Sequence, residues 1–170
     1  MMGENDMAYL DLEIQMGMRA QAMGRDQNDL IDKMRELPQA LVTAYLSTNY
    51  IMRIDGSEIV LKITDDVPPA LSSLAQSWAI ITAYNPYSVE NTETENQIAQ
   101  NRLADMLTLH GYNMLPAIGR SSDGKWEEPS MLVLGISYEF AKAFGSCFQQ
   151  NAIVFGEVDG PIELVFCNRK

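Results

Sequence analysis

Read for the alternation of apolar and polar positions, the chain resolves into short β-type runs around two well-bounded helical stretches. Tyr50–Ile54 and Glu58–Ile63 flank Asp55-Gly56, a dipeptide suited to the left-handed backbone of a tight hairpin turn. Trp78–Tyr84 predicts a third strand, which Asn85-Pro86 ends. Thr92 and Glu95 stand at capping-box spacing and predict a helix over 93–110. Its apolar stripe holds Ala99, Leu103, Met106, Leu107 and His110, and Gly111 stops it. Tyr112–Ile118 and Met131–Ile136 predict the fourth and fifth strands. Ser137 predicts the cap of a helix over 137–149, with Phe140, Ala141, Phe144, Cys147 and Phe148 inward. Ala152–Phe155 and Ile162–Phe166 close the chain as a hairpin across Asp159-Gly160-Pro161.

Hairpins joined by crossover helices predict an α+β fold. The expectation is one domain, residues 38–170, built on a mixed sheet of about six or seven strands with two or three packed helices. Residues 1–37 read differently. They hold Met1, Met2, Met7, Met16, Met18, Met23 and Met34 out of eleven methionines, and neither tryptophan nor phenylalanine. Leu10, Leu12, Ile14, Met16 and Met18 alternate with polar or small residues at strand period, while the methionine and glycine content leaves a helix open. Leu30, Ile31, Met34 and Leu37 follow helical spacing behind Asn28 and Asp29, which can cap. Pro38 can open a further helix with Leu41, Val42 and Tyr45 on one face. Residues 1–37 are therefore expected to form an N-terminal arm, Met-rich and acidic, that packs on the domain or meets a partner.

Composition narrows the function classes. The chain of 170 residues carries 23 acidic and 12 basic side chains, a net charge of −11. That balance argues against direct nucleic-acid binding, which needs a basic footprint, and against an anionic membrane surface. No apolar run reaches the roughly 18 residues of a membrane span, and a basic, apolar secretory start is missing, so a cytoplasmic location is expected. Cys147 and Cys167 are too few for a disulfide framework and read as buried free thiols. One histidine and no ligand-spaced cysteine pair leave a metal site unsupported, and no cofactor is expected. The glycine fingerprints of dinucleotide and P-loop binding are both absent.

Between the fourth and fifth strands lies Gly119–Ser130, about twelve residues where a hairpin needs about two to five. Connections longer than the fold requires tend to carry sites. Arg120 offers paired donors for a carboxylate or phosphate, and Trp126 a flat face for a ring. Asn85 follows a strand end, Glu128 and Ser130 precede the fifth strand, and Gln150 and Asn151 precede the sixth. Asn85, Arg120, Trp126, Glu128, Ser130, Gln150 and Asn151 are thus the candidate ligand-binding residues, expected at one concavity on the sheet edge. Against this, Asn85-Pro86 forms turns commonly, Arg120 and Glu128 can simply pair, and Gln150-Asn151 can satisfy backbone at a helix end. No catalytic set emerges, since Ser88, Ser121, Ser122 and Ser130 have no recognisable histidine base.

From about Tyr45 to its end the chain resembles a bacterial family known as domain of unknown function 3293. The resemblance is carried by Ile81-Thr82-Ala83-Tyr84-Asn85-Pro86-Tyr87-Ser88, Glu95-Asn96, Gly111-Tyr112 and Gly119-Arg120. It continues through Asp123-Gly124-Lys125-Trp126-Glu127-Glu128-Pro129-Ser130, Gln150-Asn151-Ala152-Ile153-Val154-Phe155-Gly156 and Glu163-Leu164-Val165. Phe155 stands where the family pattern commonly has tryptophan, a change in packing. The resemblance implies a fold and a set of positions but no activity.

Two functions follow as expectations. The chain either binds a small anionic or nucleotide-like ligand at the polar pocket, or acts as an acidic interaction module. In the second case an inhibitor, immunity or anti-defence protein of bacterial or phage type would mask a basic protein surface. Pairing with a second copy is left open.

Overall fold

Along the central strands, successive side chains go to opposite faces of one sheet, and helices cover both faces. The computed structural model describes residues 14, 16, 18 and 24–167. Its strands are β1 (Asn49–Ile54), β2 (Ser57–Leu61), β3 (Ser77–Ile81), β4 (Asn113–Arg120), β5 (Glu127–Leu134), β6 (Ala152–Glu157) and β7 (Glu163–Phe166). They lie in the order β2-β1-β4-β5-β3-β6-β7. The helices are α1 (Gln27–Glu36), α2 (Gln39–Ser47), α3 (Pro69–Ser72), α4 (Glu93–Leu109) and α5 (Tyr138–Cys147). The architecture is α+β. No helix among the described residues is long and apolar enough to cross a membrane.

Every strand pairing among the described residues is antiparallel, which corrects the mixed sheet expected from the crossovers. The crossovers do join strands of like direction, β3 to β4 through α4 and β5 to β6 through α5. In each case an antiparallel strand separates the two: β5 lies between β3 and β4, and β3 lies between β5 and β6. Sequence spacing reports the crossover and not the strand that comes to lie between.

Trp78 and Ile80 of β3, Ala152 and Val154 of β6, and Leu164 and Phe166 of β7 enter one core with Met34 and Val42. Ala79, Ile81, Ile153, Phe155 and Val165 enter the other, against Leu103 and Leu107 of α4 and Ala141 and Phe144 of α5. Burial on both sides explains why β3 and β6 read as continuous apolar runs. The predicted caps are present. Thr92 and Glu95 form the reciprocal box, and Ser137 Oγ accepts from the Phe140 N–H. At the start of α1 the cap is Asp26, whose Oδ1 accepts from the N–H groups of Asn28 and Asp29.

Some details differ. Phe140 is 55% exposed and Cys147 is exposed too, so the inward face of α5 is set by Ala141, Phe144 and Gly145 instead. A Cβ on Gly145 would strike Cys167 Sγ and Ile153, which shows how closely this helix approaches the sheet. Cys167 is buried. Ile14, Met16 and Met18 are helical, while Leu10 and Leu12, also expected in that pattern, lie outside the described residues. Met16 and Met34 are buried in the same core as β1 and β7.

The long connection also proves to be half strand. β4 continues to Arg120 and β5 begins at Glu127, leaving Ser121–Trp126 as the turn. The apolar pattern stops at Ile118 because the hairpin runs past the core, and hydrophobicity reports burial rather than backbone pairing. Ser121 Oγ donates to Asp123 Oδ1 at 2.7 Å, and the Lys125 and Trp126 N–H groups close the turn onto the same two side chains.

Candidate functional site

Where that hairpin projects, a cleft of about 690 Å³ opens between the sheet and α2. Ile80, Val154 and Leu164 form its apolar floor, and Leu41, Ala44 and Tyr45 of α2 one wall. The opposite wall holds Trp126, Glu128 and Ser130 from the β5 side, and the 84–91 segment supplies the rim. Tyr50 of β1 and Gly119 of β4 lie beneath Trp126. A Cβ on Gly119 would sit 3.8 Å from the Trp126 ring and 3.8 Å from the Tyr50 ring, so the missing side chain leaves room there. Trp126 is 44% exposed, an indole open to the cleft instead of sealed into a core.

The rim is a backbone turn under strain. Asn85, Tyr87 and Ser88 have φ of 47°, 51° and 60°, left-handed values that side-chain-bearing residues rarely adopt. Buried amides hold it in place. The Asn85 N–H donates to Asn96 Oδ1 at 2.8 Å, and Asn96 Nδ2 returns a bond to Asn85 Oδ1 at 2.9 Å. The Asn91 N–H donates to the same Asn85 oxygen at 3.0 Å. Gln150 Nε2 donates to the Tyr84 carbonyl at 3.1 Å, and Asn151 Nδ2 to Ser88 Oγ at 3.0 Å. Gln100 Oε1 accepts from the Ala83 N–H at 2.8 Å. Each left-handed residue costs on the order of 1 kcal/mol, which this network offsets.

With its oxygen fixed by two donors, the Asn85 carboxamide directs Nδ2 at Glu128 Oε2, 3.2 Å away. Glu128 has no other donor among the described residues. Burial raises its carboxyl to about 7, against which the Asn85 bond pulls downward. The phenols of Tyr45 and Tyr50 are likewise pushed up, first by burial, with the Glu128 charge adding to it. A carboxyl poised near neutrality in a cleft can accept from a ligand N–H as a carboxylate, donate as an acid, or exchange a proton.

Of the seven candidates, Asn85, Trp126, Glu128, Ser130 and Gln150 line this cleft. Asn151 is 3% exposed and stands behind the rim, reaching it through Ser88. Arg120 is not brought to the cleft. Its Nε donates to Glu127 Oε1 at 2.6 Å, and it follows Gly119 on β4. Alternation along a strand sends it to the face opposite Gly119. The anion-holding role expected of Arg120 therefore has no geometry to support it, and among the described residues no lysine, arginine or histidine lines the cleft. Glu90, Glu93, Glu127 and Glu128 do. Cations gather elsewhere: Arg25, Lys33 and Lys142 line a second cavity of about 320 Å³ beside α1 and β7. There Arg25 stacks 3.7 Å above the Tyr138 ring and pairs with Glu157 and Glu163.

Sequence reasoning missed Tyr45, Tyr50, Tyr84, Ser88, Asn96 and Gln100. For two of these a signal existed. Asn96, Gln100, Leu103 and Leu107 share one helical stripe, so the amides extend the buried face of α4 toward the rim.

Residues 81–153 match the family described as Protein of unknown function (DUF3293). The resemblance is to this family. Its matched stretch runs from the last residue of β3 into β6 and contains the rim, the amide network, Trp126 and Glu128. Tyr45 and Tyr50, which complete the cleft, fall outside it. No curated protein and no solved structure matches the chain.

Proposed function

We propose that this protein binds a small ring-bearing ligand of nucleoside-like size in the cleft between α2 and the sheet. The observation that carries this reading is Glu128: a half-buried carboxyl with one donor among the described residues, facing a cavity of about 690 Å³ beside an open indole. Leaving such a group poorly solvated costs stability, and that cost is characteristic of sites. The strained rim supports the same reading, since left-handed residues concentrate where a ligand is clamped. Trp126 covers the ring, Glu128 engages a polar edge, and Asn85 positions Glu128. An anionic group has little support here, because it would face Glu90, Glu93 and Glu128, with Glu127 paired to Arg120 and no described cation lining the cleft.

A thermal-shift screen of nucleosides and other uncharged or cationic ring compounds tests this, run in parallel on Gly119→Leu. A side chain at 119 enters the space between Trp126, Tyr50 and Thr48. The expectation is at least one compound that raises the wild-type Tm and fails on the variant. Compounds that stabilise both proteins equally would place binding away from the cleft.

A further inference from the structure

We infer that the ligand group taken by Glu128 is a planar cation, an amidinium or guanidinium, paired with its carboxylate and framed by the aromatic rings of the cleft. This rests on the reading that the cleft binds a ring-bearing ligand, and adds its charge and shape.

Three observations carry it. The first is the sign of the cleft. Its lining carries Glu90, Glu93, Glu127 and Glu128 against no lysine, arginine or histidine among the described residues. A positive group entering there is attracted by Glu90, Glu93 and Glu128, Glu127 being already paired with Arg120, and a low-dielectric cleft strengthens that attraction. The second is the unused acceptor capacity of Glu128. Asn85 occupies Oε2, and no described residue donates to Oε1. An ionised carboxylate has about four acceptor positions, so a fork of two N–H donors matches what remains. The third is the surrounding rings. Tyr45, Tyr50, Tyr84 and Trp126 all line the cleft. Their faces carry negative partial charge, and a flat delocalised cation stacks on them better than a hydrated ammonium does.

The titratable groups around Glu128 come from every neighbouring element: Tyr45 of α2, Tyr50 of β1, Tyr84 and Glu90 of the rim, Glu93 of α4 and Glu127 of its own strand. With the phenols of Tyr45, Tyr50 and Tyr84 pushed upward, these are neutral or negative near neutrality, and none repels a cation.

Three probes of one shape and different charge test the inference: benzamidine (cationic), benzamide (neutral) and benzoate (anionic). The indole N–H signals of Trp126 and Trp78 report binding by NMR, Trp126→Phe assigning them. Benzamidine is expected to shift the Trp126 signal and to bind about tenfold or more tightly than benzamide, a usual margin for a charge-assisted pair. Benzoate should leave the signal in place. Glu128→Gln should bring benzamidine to the level of benzamide, and benzamidine affinity should rise from pH 6 to pH 8 as Glu128 ionises. Benzamide or benzoate matching benzamidine, or Glu128→Gln leaving affinity unchanged, would overturn the inference. If uncharged ring compounds bind at the cleft while benzamidine shows no preference, the charge assignment alone is wrong. If no ring compound or probe moves Trp126, the cleft reading falls with it.

Discussion

Asn85 and Glu128, forty-three positions apart in the chain, meet at the cleft through one hydrogen bond of 3.2 Å from Nδ2 to Oε2. The bond joins the strained rim to β5, and it is the only one the Glu128 carboxyl receives from the described residues. Two predictions follow from that pair.

The first concerns Glu128→Gln. In the fold the carboxyl titrates at about 7 because burial disfavours its charge, against an ordinary value of 4.5. Between those values the unfolded chain has released the proton and the folded protein still holds it. Stability therefore falls as pH rises from about 4.5 through about 7. Glutamine removes this loss while keeping an acceptor for Asn85. We predict that the variant is more stable than wild type at pH 8, by on the order of 1–2 kcal/mol, with the gap closing near pH 4. Urea unfolding at the two pH values checks it. Part of the slope should persist in the variant, because burial also raises Glu163 to about 7.

Asn85→Asp is the second. Both Asn85 Oδ1 contacts can be kept by a carboxylate, but the donor aimed at Glu128 becomes an acceptor carrying negative charge. The Glu128 carboxyl should then titrate higher than in wild type. A carboxyl-carbon NMR titration reads this directly. An unchanged or lowered midpoint would mean that Asn85 does not set the Glu128 environment.

Gly156→Ala should be strongly destabilising. A Cβ at this position of β6 would overlap the indole of Trp78, which is buried beneath the strand and cannot swing away. Overpacking of this kind typically costs about 1–3 kcal/mol. Chemical denaturation with an unchanged m-value should show it.

The boundary drawn at residue 37 from composition can be tested at Met34. That side chain is 0% exposed and packs in the core shared by β1, β3 and β7. Met34→Ala is expected to cost about 2–5 kcal/mol. Removing residues 1–37 should lower the Tm at least as much, and a truncated chain that melts as wild type would show instead that the domain is complete without them.

The fold was legible where local signals act alone. The Thr92–Glu95 box, the Ser137 cap and the Asp55-Gly56 turn each depend on residues within a few positions of one another. The antiparallel pairing was not legible, because it depends on β5 inserting between β3 and β4, a fact about distant segments. In the site, the polar residues of the β4–β5 hairpin stood out for type, but type does not give direction. Arg120 and Gly119 are adjacent in sequence and face opposite sides of the sheet, so the arginine singled out for an anion sits away from the cleft. Tyr45 and Tyr50 were invisible because they read as ordinary helix and strand residues; only the folded chain brings both into the cleft beside Glu128.

The central claim is that the cleft around Glu128 is the binding site. Backbone amide shift mapping with the strongest compound from the thermal-shift screen tests it most directly. The account predicts perturbations at Ser88, Gly119, Glu128 and the Trp126 indole, absent in Gly119→Leu. Perturbations centred instead on Arg120, or on Arg25, Lys33 and Lys142, would contradict it.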